Sequence, residues 1–96
     1  MEKKFGFGVI GTGNIAKFHA QCINKIPNAK LLGVLSKSKS RARQVSKSFN
    51  APVFWDIEKL LSNSEIDIIC VCNESGLHAP TISRIAKAGK NVLCEK

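Results

Sequence analysis

Short apolar runs alternate with segments of helical spacing along the whole chain, and no other feature restricts its fold as strongly. Residues 5–10, 31–35, 66–72 and 91–94 form apolar runs of strand length, and residues 53–54 form a very short fifth run. Short connections join these runs to the helical segments between them. The order predicts an α/β fold with an open parallel sheet, right-handed crossovers and helices on both faces, hence three layers.

Two segments give this prediction its detail. The run at 66–72 is almost continuously apolar, as expected of a strand covered on both faces, and is the best candidate for the central strand. The first helix is expected to end at Pro27 and Asn28. Steps of three and four residues predict that its inward face consists of Ile15, Phe18, Cys22, Ile23 and Ile26.

The ends of the other helices are also marked in the sequence. Asp56 is a plausible N-cap for a brief helix. A later helix from about His78 to Ala88 has Pro80 in its first turn and Gly89 at its end. The second helix, which follows residues 36–40, is expected to turn inward Ala42, Val45 and Phe49.

The sequence argues against three classes of protein: disordered, membrane-spanning and secreted. Of the 96 residues, 44% are hydrophobic, a share that fills a core and exceeds that of disordered chains. The apolar runs fall far short of the roughly 20 residues of a membrane helix. Residues 1–6 begin with charges but lack the apolar stretch of a secretory signal. We therefore expect a cytoplasmic protein without a membrane span, with a single domain over residues 1–96.

Positive charge is concentrated in one half of the chain. Residues 1–55 carry ten Lys and Arg but one acid, hence +9, whereas residues 56–96 carry five Lys and Arg and six acids, hence −1. A basic half favours an anionic partner, either nucleic acid or a smaller polyphosphate such as a dinucleotide. The absence of Tyr and the single Trp55 argue against a single-strand nucleic-acid binder. We expect no nucleic-acid partner.

The four cysteines do not form a recognisable site. Cys22, Cys70, Cys72 and Cys94 lack the CxxC spacing of zinc or redox sites. We expect reduced thiols that act as small hydrophobic side chains. The alternative is a metal site at Cys70 and Cys72, which would share one face of a strand but have no obvious third ligand. No metal site is predicted.

A glycine-rich turn follows the first predicted strand and opens the first predicted helix. The pattern Gly11-x-Gly13-x-x-Ala16 lies in a βαβ unit of about 30 residues, which is the context of a dinucleotide fingerprint. Gly11 permits the tight turn, Gly13 lets the backbone approach a pyrophosphate, and the helix N-terminus favours the phosphates. We therefore expect a fold of Rossmann type. The predicted cofactor contacts in this turn are Gly11, Thr12, Gly13, Asn14 and Ile15.

The end of the second predicted strand bears on which dinucleotide is bound. Such folds usually carry an acidic residue here that binds the ribose 2′-hydroxyl of NAD, but this chain has Ser36. A carboxylate would repel a 2′-phosphate, whereas a hydroxyl flanked by Lys37 and Arg41 can bond and neutralise one. The sequence therefore favours NADP over NAD. The alternative is that these cations are a solvated helix start.

Three stretches of the chain resemble the Gfo/Idh/MocA oxidoreductases, a family named after glucose-fructose oxidoreductase and inositol dehydrogenase. They are residues 8–16, 71–79 and 89–96, in the right order and spacing. In the middle stretch the resemblance implies cofactor contacts at Cys72, Asn73 and Glu74, although Asn73 and Glu74 stand where the family usually has Thr and Pro. His78 matches a family histidine that holds a ribose or substrate group, or else makes a helix-start hydrogen bond.

The last stretch resembles the family's Glu-Lys-Pro motif. By this likeness Lys96 is the catalytic lysine, and Glu95 lies beside the nicotinamide ribose. Ligands of open parallel sheets bind beyond the carboxyl ends of the strands, where this lysine is expected. Burial beside a nicotinamide cation would lower the pKa of Lys96 and let it exchange a proton with a substrate hydroxyl. The alternative for Lys96 is a frayed terminal residue.

These inferences predict the cofactor domain of an NAD(P)-dependent oxidoreductase that acts on a sugar, polyol or sugar derivative. The family resemblance implies a second domain with a large antiparallel sheet, which supplies most substrate contacts and often a homo-oligomer interface. Because the chain stops directly after a strand, we expect it to be a fragment of a longer protein. We expect the fragment to be inactive alone, because fast hydride transfer requires a positioned substrate. A non-catalytic dinucleotide sensor and a nucleic-acid module are the alternatives.

Overall fold

A computed structural model describes residues 4–11, 13–36, 38–72 and 78–94, apart from the side chains of Asn14, Ile15, His78, Ala79 and Cys94. Strands and helices alternate as predicted. The elements are β1 (Phe5–Ile10), α1 (Asn14–Lys25), β2 (Ala29–Leu35), α2 (Lys39–Phe49), β3 (Val53–Phe54), α3 (Ile57–Leu61), β4 (Ile68–Val71), α4 (His78–Lys87) and β5 (Asn91–Cys94).

The five strands form one parallel sheet in the order β3-β2-β1-β4-β5. This confirms the predicted parallel sheet. The central position belongs to β1 rather than to β4, which lies between β1 and the edge strand β5. The chain leaves β1 toward β2 on one side and returns to β4 on the other, so the strand order reverses beside β1. In open α/β sheets, ligands bind at such a switch point, outside the carboxyl ends of the strands.

Two apolar clusters lie on opposite faces of the sheet, which confirms the three layers. Consecutive residues of β1 belong to different clusters. Val9 belongs to the cluster that contains Ala20 of α1 and Val45 of α2. Ile10 belongs to the cluster containing Leu60 of α3 and Ile85 of α4. Side chains of consecutive strand residues point to opposite faces, so β1, β2 and β4 each contribute to both clusters.

The buried face of α1 differs from the predicted one. The predicted face is wrong at Phe18 and Ile26, which are 59% and 45% exposed, and at Cys22, which is also exposed. Of the predicted residues whose side chains are described, only Ile23 is buried. The helix instead packs through the small residues Ala16 and Ala20, both fully buried, which allow its backbone to lie close to the sheet.

Several local predictions are confirmed. Asp56 caps α3 by accepting the Glu58 N–H at 3.0 Å. Gly89 ends α4 with φ 79°, in the left-handed region that favours glycine. The predicted inward face of α2 is also confirmed, since Ala42 and Val45 are buried and Phe49 packs against the same cluster.

Strand ends and a bulge differ from the simple pattern. The strand β4 is shorter than predicted at both ends, and β2 begins two residues earlier, at Ala29. The pairing of β1 with β2 shifts between Phe7 and Gly8, so that Leu32 has no partner in β1. Because of this irregularity, Leu32 and Gly33 face the same side of the sheet. On that side, Phe54 and Leu60 fill the space that a side chain at Gly33 would occupy.

The described cysteines, Cys22, Cys70 and Cys72, are thiols rather than halves of a disulfide. Cys70 is buried and Cys72 is half-buried, as expected for small hydrophobic side chains, but Cys22 is exposed on α1. Across the described part of the chain, no group of three or more metal-ligating side chains comes together. Nor does this part contain a helix with the length and apolarity required to span a bilayer.

Candidate functional site

The carboxyl ends of the strands form one edge of the sheet, which we call the carboxyl edge. Backbone hydrogen bonds join the turns that leave it. The Gly11 N–H donates to the Leu35 carbonyl at 2.7 Å, and the Cys72 N–H donates to the Ile10 carbonyl at 2.8 Å. The turn after β1 is therefore fixed to the end of β2 on one side and to the end of β4 on the other. Gly11, Ser36 and Cys72 lie side by side.

The turn after β1 requires glycine at its first position. Gly11 has φ 111°, a conformation that L side chains rarely adopt. This backbone angle turns the chain from β1 toward the start of α1. Gly11 is thus placed as the fingerprint predicts.

Gly13 differs from Gly11, because its own backbone does not require glycine. Its φ of −77° and ψ of −171° are ordinary extended values. A Cβ built on Gly13 would have no heavy atom within 4 Å among the described residues. As far as the described residues show, the missing side chain therefore leaves open space at the start of the helix.

That helix start has the properties of an anion site. Gly13 is the N-cap of α1 and has no side chain to accept a first-turn N–H, and the first turn of α1 contains no acidic residue. The first N–H groups of a helix lack intrahelical acceptors and carry the positive end of the helix dipole. Open space, free donors and positive potential coincide here, so the described residues fit a phosphate group.

The turn after β2 is ordered by serine side chains. The Ser36 hydroxyl accepts the Ser38 N–H at 3.2 Å, and the Ser38 hydroxyl accepts the Arg41 N–H at 3.4 Å as the N-cap of α2. Ser36 is half-buried, and Arg41 is exposed in the first turn of α2. Both residues therefore lie at the carboxyl edge, beside Gly11.

Several predicted site residues lie outside the described part of the chain. The structure places β5 against β4, with Cys94 paired to Val71. The strand therefore reaches the carboxyl edge directly before Glu95 and Lys96. The predicted residues that are not described are Thr12, Lys37, Asn73, Glu74, Glu95 and Lys96, and for Asn14, Ile15 and His78 only the backbone is described.

Sequence reasoning missed one aromatic residue at this edge. Trp55 follows β3 directly, is 51% exposed and has the Arg43 guanidinium carbon 5.9 Å from its ring centroid. The available signal was its place after a predicted strand, because all parallel strands end at the same edge. The shortness of β3, which is only two residues long, concealed that signal.

Comparison with known families agrees with this geometry. The family model for the Gfo/Idh/MocA oxidoreductases, described as an oxidoreductase family with an NAD-binding Rossmann fold, matches residues 5–96. The chain belongs to this family. The resemblance inferred from the three stretches is thereby confirmed, as is the Rossmann fold.

Curated relatives match nearly the whole chain. Inositol 2-dehydrogenase of Rhizobium meliloti is 31% identical over 90 residues, which cover 94% of this chain and 27% of that protein. Glucose-6-phosphate 3-dehydrogenase of Bacillus subtilis is 33% identical over 89 residues, which cover 93% of this chain and 25% of that protein. Both of these relatives are named as dehydrogenases.

Solved structures of other proteins superpose closely on the chain. GenD2 from gentamicin A biosynthesis, in complex with NAD, has a TM-score of 0.96 at 25% identity and covers 100% of this chain and 28% of its own. Scyllo-inositol dehydrogenase from Lactobacillus casei, with bound NAD(H) and scyllo-inositol, has a TM-score of 0.89 at 31% identity. The match covers 98% of this chain and 28% of that protein's chain. The chain thus spans little more than a quarter of the length of these relatives.

Proposed function

We propose that the chain binds a nicotinamide dinucleotide along the carboxyl edge, as the cofactor domain of an enzyme that oxidises or reduces a hydroxyl carbon of a sugar, polyol or sugar derivative. The observation that carries this proposal is the open space at Gly13 in front of the uncapped start of α1. A diphosphate in that space would accept first-turn N–H donors. The named relatives support the substrate class.

Each turn at the carboxyl edge has a distinct proposed role. Residues Gly11 to Ile15 hold the diphosphate with their backbone, and Ser36 binds the adenosine ribose. On the other side of the switch point, residues Cys72 to Glu74 lie along the nicotinamide half. Support for this arrangement is the hydrogen bonding that fixes Gly11 to the end of β2 and Cys72 to the end of β1.

The reacting end of the site is proposed from the family's last motif. The dinucleotide supplies the hydride acceptor or donor. Lys96 holds or transfers the proton of the substrate hydroxyl, and Glu95 binds the nicotinamide ribose. His78, at the start of α4, binds a ribose or substrate hydroxyl. These roles are supported by the register of β5, whose last residue, Cys94, pairs with Val71 at the carboxyl edge.

We also propose a preference for NADP. Ser36 replaces the usual carboxylate, and its position beside the first turn of α2 suits a ribose 2′-phosphate. Arg41 and Lys37 supply the positive charge. A hydroxyl and two cations favour a phosphate, whereas a carboxylate favours a free ribose hydroxyl.

A matched pair of glycine substitutions tests the proposal. In Gly13→Ala the new methyl group meets no described protein atom but projects into the proposed diphosphate space. We expect the free energy of unfolding to change by less than about 1 kcal/mol, while the affinity for NADPH, measured by isothermal titration calorimetry, falls at least about tenfold.

Gly6→Ala is the control at the opposite end of β1. Its methyl group would overlap the backbone carbonyl oxygen of Glu65, which cannot rotate away. We expect a loss of about 1–3 kcal/mol in stability, with unchanged NADPH affinity for the folded fraction. Equal NADPH binding by wild type and Gly13→Ala would refute the proposed diphosphate site.

A further inference from the structure

Trp55 lies beside the proposed ribose site, because of the register between two neighbouring strands. Val34 pairs with Val53, and Leu35 pairs with Phe54. The next residues along these strands are Ser36 and Trp55. Neighbouring strands lie about 5 Å apart, so Trp55 is at the carboxyl edge on the outer side of Ser36, away from Gly11.

The ring of Trp55 is held in place but not covered. The Arg43 guanidinium carbon lies 5.9 Å from the ring centroid, within the range of a cation–π contact. Even so, 51% of Trp55 remains exposed. A large planar apolar surface is therefore presented to solvent at the rim of the proposed cofactor site.

The two arginines at the start of α2 have different positions around the helix. Arg41 and Arg43 are two residues apart, which corresponds to about 200° around an α-helix. Arg43 contacts Trp55 on the flank nearest β3. Arg41 lies on the opposite flank, so it is placed separately from the tryptophan and remains suited to the 2′-phosphate.

We propose that Trp55, with Arg43 against one face of its ring, provides the surface on which the adenine ring of the cofactor stacks. This inference rests on the proposed dinucleotide function. An adenosine whose ribose is bound at Ser36 has its base within reach of a residue one strand further out. Aromatic side chains stack on nucleobases through their faces, and Trp55 retains the exposed surface for that contact.

Trp55 itself reports on the contact, because it is the only tryptophan of the chain. The wild-type chain is titrated with adenosine 2′,5′-bisphosphate, which contains the adenine and the 2′-phosphate but no nicotinamide. We expect tryptophan fluorescence to be quenched with the same dissociation constant that calorimetry gives for binding.

Substitutions separate stacking from a structural role. Trp55→Ala should weaken binding of both adenosine 2′,5′-bisphosphate and NADPH by about tenfold, the range measured for loss of one base–aromatic stack. Trp55→Phe should keep most of the affinity. Phe5→Ala, which removes an aromatic ring 37% exposed at the other end of β1, is the control. Circular dichroism and urea unfolding check that each variant is folded.

The outcomes distinguish this inference from the proposed function. Loss of affinity in Trp55→Ala, with retention in Trp55→Phe and Phe5→Ala, supports stacking. Unchanged affinity in Trp55→Ala, when wild type binds NADPH, overturns the stacking role and leaves the dinucleotide function intact. If wild-type chain binds neither NADPH nor NADH, both are overturned.

Discussion

Ser36 occupies the position at which we propose that one side chain determines the choice between NADP and NAD. In Ser36→Asp the carboxylate can still accept the Ser38 N–H that the hydroxyl accepts now, so the turn is retained. The added negative charge repels a 2′-phosphate, and we expect NADPH affinity to fall by about tenfold or more while NADH affinity is kept or increased. Calorimetric titration with each cofactor measures this change.

The control for Ser36→Asp adds the same charge elsewhere. Ser48 is exposed near the far end of α2. Ser48→Asp should leave the ratio of NADPH to NADH affinity unchanged. If both variants lower NADPH affinity equally, the effect is one of net charge and not of position, and the proposed NADP preference loses its basis at Ser36.

Single residues were predictable where their role is local. A helix cap such as Asp56 depends on a few neighbouring residues, and the fingerprint places Gly11 at a turn that its φ of 111° then requires. Trp55 was not predictable in this way. Its position beside Ser36 depends on the pairing of β2 with β3, which involves residues far apart in the sequence.

At the scale of secondary-structure elements, Lys90 connects the start of β5 to the loop before β4. Its ammonium group donates to the carbonyls of Asn63 at 2.9 Å and Ile66 at 2.5 Å. Lys90→Met keeps the length of the side chain but leaves both carbonyls without this donor. We expect a loss of about 1.5–3 kcal/mol in the free energy of unfolding, measured by urea denaturation.

Lys59→Met is the matched control, because Lys59 is exposed on α3. It should change stability by less than about 0.5 kcal/mol. Equal stability of Lys90→Met and wild type would mean that the two carbonyls find water or other donors, and that the loop before β4 does not depend on this lysine.

The inward face of α1 shows why an element can be predicted while its packing is not. Spacing of large apolar residues located the helix correctly but assigned Phe18 and Ile26 to the core. Close packing of a helix on a sheet selects small residues at the contact, here Ala16 and Ala20. A pattern based on large side chains therefore identifies the wrong face whenever the contact is made by alanines.

At the scale of the whole molecule, exposed apolar side chains predict self-association. Phe18, Ile26 and Leu93 are each 45–59% exposed, and exposed apolar surface promotes contacts between molecules. We expect sedimentation velocity to show association that increases with concentration and that Phe18→Ser reduces. Gln21→Ser, which changes an exposed polar residue of the same helix, should have no effect. A wild-type monomer at all concentrations would contradict this expectation.

The parallel arrangement of the sheet was predictable because alternating strands and helices with short connections permit few topologies. What the sequence did not reveal is which strand occupies the middle. The nearly continuous apolar run favoured β4, yet β1, interrupted by Gly6 and Gly8, is central. Glycines there admit close neighbours such as Leu32 and Leu60, so an interior strand need not be uniformly apolar.

The central place of β1 also affects how the chain is made on the ribosome. The strand emerges first, pairs on one side with β2, and gains its second neighbour only when residues 68–71 have been synthesised. Until then the nascent sheet has an unpaired edge along its central strand, and unpaired edges recruit other chains. Translation that stalls before β4 would therefore leave a product that chaperones must shield, whereas a stall after β4 would leave β1 paired on both sides.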